Sequence, residues 1–208
     1  NNRATNGSGM KIFSIGLINP GNLDKAVKDT ITICMPTHNN NAAISGACAI
    51  SCAVAKAMTE GADMDGVIEA ALYGAHKGFE DSSKIANRLA VPSVEKRIRL
   101  AVEIGKKGLG WEKTMLELRD IIGAGLMATE SIPCVFGILA ATEGDVMSAI
   151  KMGVNIGDDT DTVATMVGAI AGALYGMNNI PEEYIGLIDK VNGFDLKGLA
   201  DDIERTFY

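Results

Sequence analysis

Aromatic residues and prolines are scarce in this chain, and no apolar run is long enough to cross a bilayer. Of its 208 residues only 5% are Phe, Tyr or Trp, with a single Trp and 5 Pro. The longest predominantly apolar run, 163–177, has 15 residues and includes Thr165 and the glycines at 168, 172 and 176. A membrane span requires about 20 residues, so a transmembrane reading is excluded and no membrane partner is expected. The start, residues 1–9, is polar, and no apolar segment with a small-residue cleavage site follows, which argues against a secretory signal. An initiator Met is also missing, and a trimmed or incomplete polypeptide is expected.

Positive charge is in the minority. With 19 Lys and Arg against 26 Asp and Glu, the formal charge is −7 and the isoelectric point about 4.9. Broad contact with a phosphate backbone is unfavourable at that charge, so nucleic acid is not an expected partner. The 4 cysteines, Cys34, Cys48, Cys52 and Cys134, lie among alanines and aliphatic residues. A chain of this length builds a core without covalent staples, so they are read as reduced and the compartment as cytoplasmic.

What the chain has in plenty is Ala, Met, Leu and Ile at i, i+3, i+4 spacing, with little alternation of period 2. The fold class is therefore all-α, one domain over residues 1–208. A first helix is expected over 41–58, where Ala43, Ala47, Ile50, Val54 and Met58 make one apolar stripe among small residues. Further helices are expected over 64–76, 93–106, 111–122, 133–141, 145–153, 161–176, 182–191 and 196–207. Gly78, Gly108-Leu109-Gly110 and Ser131-Ile132-Pro133 are read as turns.

Gly157-Asp158-Asp159-Thr160-Asp161-Thr162 places three carboxylates and two hydroxyls directly before an apolar helix. Capping is the bland reading: one Asp or Thr serves as N-cap, and acids in the first turn gain about 0.3–1 kcal/mol from the dipole. Three acids repel one another, and a divalent cation relieves that. Carboxylate and hydroxyl oxygens are the hard ligands that Mg²⁺, Mn²⁺ or Ca²⁺ prefer. An EF-hand loop counted from Asp159 would need an oxygen ligand, Gly and Glu where Val163, Ala164 and Ile170 stand, so that reading fails. A phosphatase of the haloacid dehalogenase type matches in letters over Asp159 to Val163, but requires a buried strand before the first Asp.

Thr5-Asn6-Gly7-Ser8-Gly9-Met10 is a glycine-rich stretch whose backbone N–H groups could hold phosphate or sugar oxygens, although most such stretches are turns. His38 precedes the alanine-rich helix and reads as a capping or hydrogen-bonding group. His76 reads as a favourable charge at a helix C-terminus. The spacings Cys34 to His38 and Cys48 to Cys52 mimic zinc ligand pairs, but the second pair lies within an apolar helix and fits a core better.

Together, Asn6-Gly7-Ser8-Gly9-Met10-Lys11, Thr37-His38 before an alanine-rich helix, the acidic motif after Asn155, and Asn179-Ile180-Pro181 resemble the ADP-ribosylglycohydrolase family over nearly the whole chain. That family usually carries Gly-Gly-Asp-Thr-Asp-Thr at the head of a helix. The resemblance implies an orthogonal multi-helix bundle holding two Mg²⁺ or Mn²⁺ ions, with ADP-ribose or an ADP-ribosylated protein or small molecule as substrate. It implies Asp159, Asp161 and Thr162 as metal ligands; Asn6, Gly7, Ser8, Gly9 and Met10 against the ribose and diphosphate; and His38 close to the nucleotide. Asp158 stands where the family has its second glycine. The family's N-terminal metal motif and its water-activating acid have no match here, so a further segment or chain is expected to supply them. The implied function is metal-dependent hydrolysis of the bond between ADP-ribose and its acceptor; the alternative is an ADP-ribose-binding module without turnover.

Overall fold

The computed structural model describes residues 3–208; positions 1 and 2 of the polar start lie outside the described residues. Twelve α-helices follow one another among the described residues: α1 (Gly7–Met10), α2 (Phe13–Leu17), α3 (Leu23–Cys34), α4 (Asn41–Ala57), α5 (Met64–Ser82), α6 (Val94–Gly105), α7 (Trp111–Glu117), α8 (Ala128–Ala141), α9 (Val146–Asn155), α10 (Thr160–Tyr175), α11 (Glu182–Asn192) and α12 (Leu196–Phe207). A π-helical turn, Leu118–Ile122, extends α7. Strands are absent among the described residues. Extended pairing there amounts to isolated bridges, Thr5 with Met127 and Asn40 with Asn87. The all-α class expected from periodicity is the class observed, and among the described residues no helix is long and apolar enough to cross a membrane.

Helix α4 is the axis of the core. Every residue in it except Lys56 is buried, which its Ala, Ser, Gly and Cys side chains permit by letting neighbouring helices come close. A Cβ on Gly74 of α5 would stand 2.2 Å from the Cys48 carbonyl oxygen, and one on Gly78 would stand 2.6 Å from Cys48 Cβ. Ser45 Oγ donates to the Ala75 carbonyl at 2.7 Å and Thr30 Oγ1 to Ser51 Oγ at 2.7 Å, so the hydroxyls buried between helices are satisfied. On another side of α4, Gly46 faces Ile132 of α8 and Gly16 of α2 faces Val54.

These contacts correct several expectations. Gly78 is no turn: α5 runs through it to Ser82, because the missing side chain serves close approach to α4. His76 therefore sits within α5, not at its end; its Nδ1 lies 3.1 Å from Glu95 and its Nε2 3.4 Å from Glu80. Ser131-Ile132-Pro133 is no turn either, since α8 starts at Ala128 and carries Pro133 inside it. Nearly all of α8 is buried, and tertiary packing overrides the helix-breaking tendency of one proline. Three helices precede the one expected to be first: the short α1 and α2, and α3 with its buried stripe Ala26, Val27, Thr30, Ile31 and Cys34. The N-cap of α3, Asn22, accepts from Lys25 N at 3.1 Å. At the far end, α11 and α12 are joined through Gly193, in the left-handed region, and bury no residue.

Candidate functional site

The acidic motif follows a glycine-assisted turn. Gly157 has φ 92° and Asp158 φ 58°, so the chain reverses before α10 through two residues in left-handed backbone. Asp159 then takes the N-cap position, yet its side chain makes no capping hydrogen bond. Its carboxylate is engaged elsewhere. Asn6 Nδ2 donates to Asp159 Oδ2 at 2.6 Å, and Thr162 Oγ1, one turn along α10, donates to Asp159 Oδ1 at 3.0 Å. Capping thus does not account for Asp159. Asp161 and Asp158 are exposed, whereas Thr162 is buried with its hydroxyl also 3.7 Å from Met10 Sδ.

The segment before α1 reaches this point by pairing with the start of α8. Asn6 N donates to the Leu126 carbonyl at 2.9 Å and Ala128 N to the Ala4 carbonyl at 2.7 Å. The glycine-rich stretch, expected as a loop, is one helical turn, with Gly9 N and Met10 N bonded to the Asn6 carbonyl at 2.8 and 3.1 Å. Ser8 and Gly9 face inward: Ser8 Oγ donates to the Ala43 carbonyl at 3.0 Å, and a Cβ on Gly9 would stand 2.9 Å from Ile132 Cδ1. Gly7 and the half-exposed Met10 face outward.

His38 flanks the same turn. A Cβ on Gly7 would lie 3.3 Å from His38 Nε2, which itself lies 3.2 Å from Thr5 Oγ1. Lys11 Nζ donates to Thr37 Oγ1 at 2.7 Å, and that hydroxyl lies 2.9 Å from His38 Nδ1. With Thr37 accepting from Lys11, its own proton is free for Nδ1, which leaves the His38 proton on Nε2, directed at Thr5. Burial, and next the Lys11 ammonium, hold the His38 pKa below the ordinary value of 6.5. The imidazole is therefore neutral at pH 7, with Lys11 supplying positive charge beside α1.

The folding together of Asn6 and Asp159 rests on residues far apart in sequence whose order and spacing follow a known pattern. The ADP-ribosylglycohydrolase family profile matches residues 1–208. The chain belongs to the ADP-ribosylglycohydrolase family. It is 29% identical over 209 residues to the uncharacterized protein YegU of Escherichia coli (strain K12), covering 99% of this chain and 60% of YegU. Identity to the ADP-ribosylhydrolase ARH3 of Homo sapiens is 34% over 104 residues, 45% of this chain and 28% of ARH3. Over 60 residues it is 54% identical to the ADP-ribosylarginine hydrolase Tri1 of Serratia proteamaculans (strain 568), 29% of this chain and 15% of Tri1. The chain thus spans less than two thirds of the length of each of these relatives.

For a member of the ADP-ribosylglycohydrolase family, two neighbours of the acidic motif escaped sequence reasoning. Glu130, in the first turn of α8, and Asp158 converge on Gly125: a Cβ there would stand 2.8 Å from Glu130 Oε2 and 2.8 Å from Asp158 Oδ2. Ser131, fully buried, accepts from Asn6 Nδ2 at 2.9 Å. The only signal for either was an acid and a hydroxyl in an apolar, small-residue run, which periodicity assigns to no role. The donors fit a hard divalent cation in kind, being oxygens of Asp159, Asp161 and Thr162. They fit as part of a site: among the described residues no three of His, Cys, Asp and Glu converge as a metal centre.

Proposed function

We propose that this chain carries the ADP-ribose-facing half of a hydrolase that cleaves the bond between ADP-ribose and its acceptor with Mg²⁺ or Mn²⁺. The observation that carries the reading is the Asp159 carboxylate, held at both oxygens by Asn6 and Thr162 at a helix head where it caps nothing. The similarity to the ADP-ribosylhydrolase ARH3 and the ADP-ribosylarginine hydrolase Tri1 supports the same reaction class. Asp159, Asp161 and Thr162 would hold the cation, completed by water, the substrate or a segment beyond this chain. Such an ion, when bound, polarises ribose hydroxyls and a bound water.

The chain's own residues bind and orient. The outward side of α1, at Gly7 and Met10, accepts the ribose and diphosphate. The first N–H groups of a helical turn have no partner within it and suit anionic oxygens. Lys11 adds a cation, and neutral His38, fixed by Thr5 and Thr37, lines the nucleotide side. The compartment this reading implies is cytoplasmic.

The test is release of ADP-ribose from an ADP-ribosylated protein with Mg²⁺ or Mn²⁺, set against Asp161→Asn and against chelator. Metal-dependent release that falls sharply in Asp161→Asn is expected. Release indifferent to both would overturn the metal assignment, and tight ADP-ribose binding without release would select the binding-module reading.

A further inference from the structure

The resemblance places Asn6 among residues that touch the substrate, but its side chain does something else. Asn6 is 2% exposed, and its amide nitrogen faces three acceptors: Asp159 Oδ2 at 2.6 Å, Ser131 Oγ at 2.9 Å and the Gly125 carbonyl at 3.4 Å. The amide has two protons, and the two shorter contacts take them. Its orientation is determined by its neighbours. A carboxylate only accepts, and the Ser131 hydroxyl already donates to the Met127 carbonyl at 3.2 Å, so both sites require the nitrogen and not the oxygen. The main chain is tied at the same place by Asn6 N to Leu126. One buried residue therefore joins the α1 turn, the approach to α8 and the head of α10.

We infer that Asn6 is a positioning residue: its buried amide, through the bond to Asp159 Oδ2, sets the orientation in which that carboxylate meets a divalent cation. The inference rests on the proposed metal-binding reading of Asp159. The groups that orient a ligating carboxylate typically contribute about ten- to hundredfold in metal affinity. Thr162 fixes the other oxygen from within α10, so without Asn6 the carboxylate keeps one tether and rotates about it.

The test is Mn²⁺ binding by electron paramagnetic resonance, on the chain without substrate, for the parent, Asn6→Ala, Ser131→Ala and Asp159→Asn. Asn6→Ala is expected to weaken Mn²⁺ binding about ten- to hundredfold. Ser131→Ala, which removes the amide's other partner and leaves the Asp159 bond, is expected to stay within about threefold. A Mn²⁺ affinity in folded Asn6→Ala within twofold of the parent, with binding lost in Asp159→Asn, would overturn the positioning role and leave the proposed function standing. Asp159→Asn binding Mn²⁺ as the parent does would overturn both. A measurement on the parent does not depend on any variant folding: the Asn6 side-chain amide resonances must shift on titration with Mg²⁺, saturating with the ion's own affinity. Unmoved resonances would overturn the inference.

Discussion

The imidazole of His38 stands against the bare backbone of Gly7, with Nε2 only 3.3 Å from where a side chain there would begin. Gly7→Ala forces the ring away by a few tenths of an ångström and loosens its contact to Thr5, because a methyl carbon at that distance is closer than ordinary packing allows. The expected cost is under about 1 kcal/mol, since the ring can rotate outward. The readout is nuclear magnetic resonance: the His38 ring signals shift while those of His76, on α5 beside Glu95, stay in place.

The His38 titration has a defined sign. Its folded pKa lies below 6.5 through burial and then Lys11, so the unfolded chain binds the proton more readily than the folded one. The protein therefore loses this contribution as the pH falls below about 6.5 towards the folded pKa, and keeps it in full above. Lys11→Met removes the secondary cause and leaves burial. The His38 pKa is expected to rise in that variant yet remain below 6.5. A pKa unmoved by Lys11→Met would contradict the charge coupling.

Two glycine substitutions should move thermal stability in opposite directions. Gly74→Ala puts a methyl group 2.2 Å from the Cys48 carbonyl oxygen and 2.8 Å from Cys52 Sγ, so backbone has to shift. A cost of about 1–3 kcal/mol or more is expected, with Tm lowered by roughly 2–4 °C per kcal/mol at this chain length. Gly172→Ala in α10 meets nothing within 4 Å and gains about 0.5–1 kcal/mol of helix propensity. Scanning calorimetry of the pair checks both signs against one reference.

The cysteines should be inert in the native protein. All four are buried; burial pushes the Cys34 thiol to about 11, Cys52 and Cys134 to about 12, and Cys48 well above its ordinary value. The thiolate is the form that reacts with alkylating agents. At pH 8, mass spectrometry after iodoacetamide is expected to show no adduct on the native chain and four after denaturation. A rapid native adduct would disprove the packing of α3, α4 or α8, whichever cysteine carries it.

Much of the helical order was legible because it rests on local rules. Asn41–Ala57, Val94–Gly105 with its Ser93 cap, and Leu196–Phe207 fall within a residue or two of the expected bounds. Two of the departures share one cause. Gly78 and Pro133 carry breaking signals that a residue in isolation obeys, but here close packing against Cys48 and the full burial of α8 outweigh them. At the site, Asp159 and Thr162 were visible as a motif on one turn, whereas Glu130 and Ser131 were not, because a lone acid or hydroxyl in an apolar run has no periodic or spacing signature.

The amino-acid sequence by itself determined the all-α class, the apolar faces of most helices and the oxygen-rich head of α10, since helical period and side-chain chemistry are properties of contiguous residues. Only the tertiary structure decided what that head is used for. The bond from Asn6 to Asp159 spans 153 positions. It exists because Ala4 and Asn6 pair with the approach to α8, and because small residues along α4 bring α1, α8 and α10 around one axis. That convergence is a matter of helix packing distance, which no local pattern in the chain encodes.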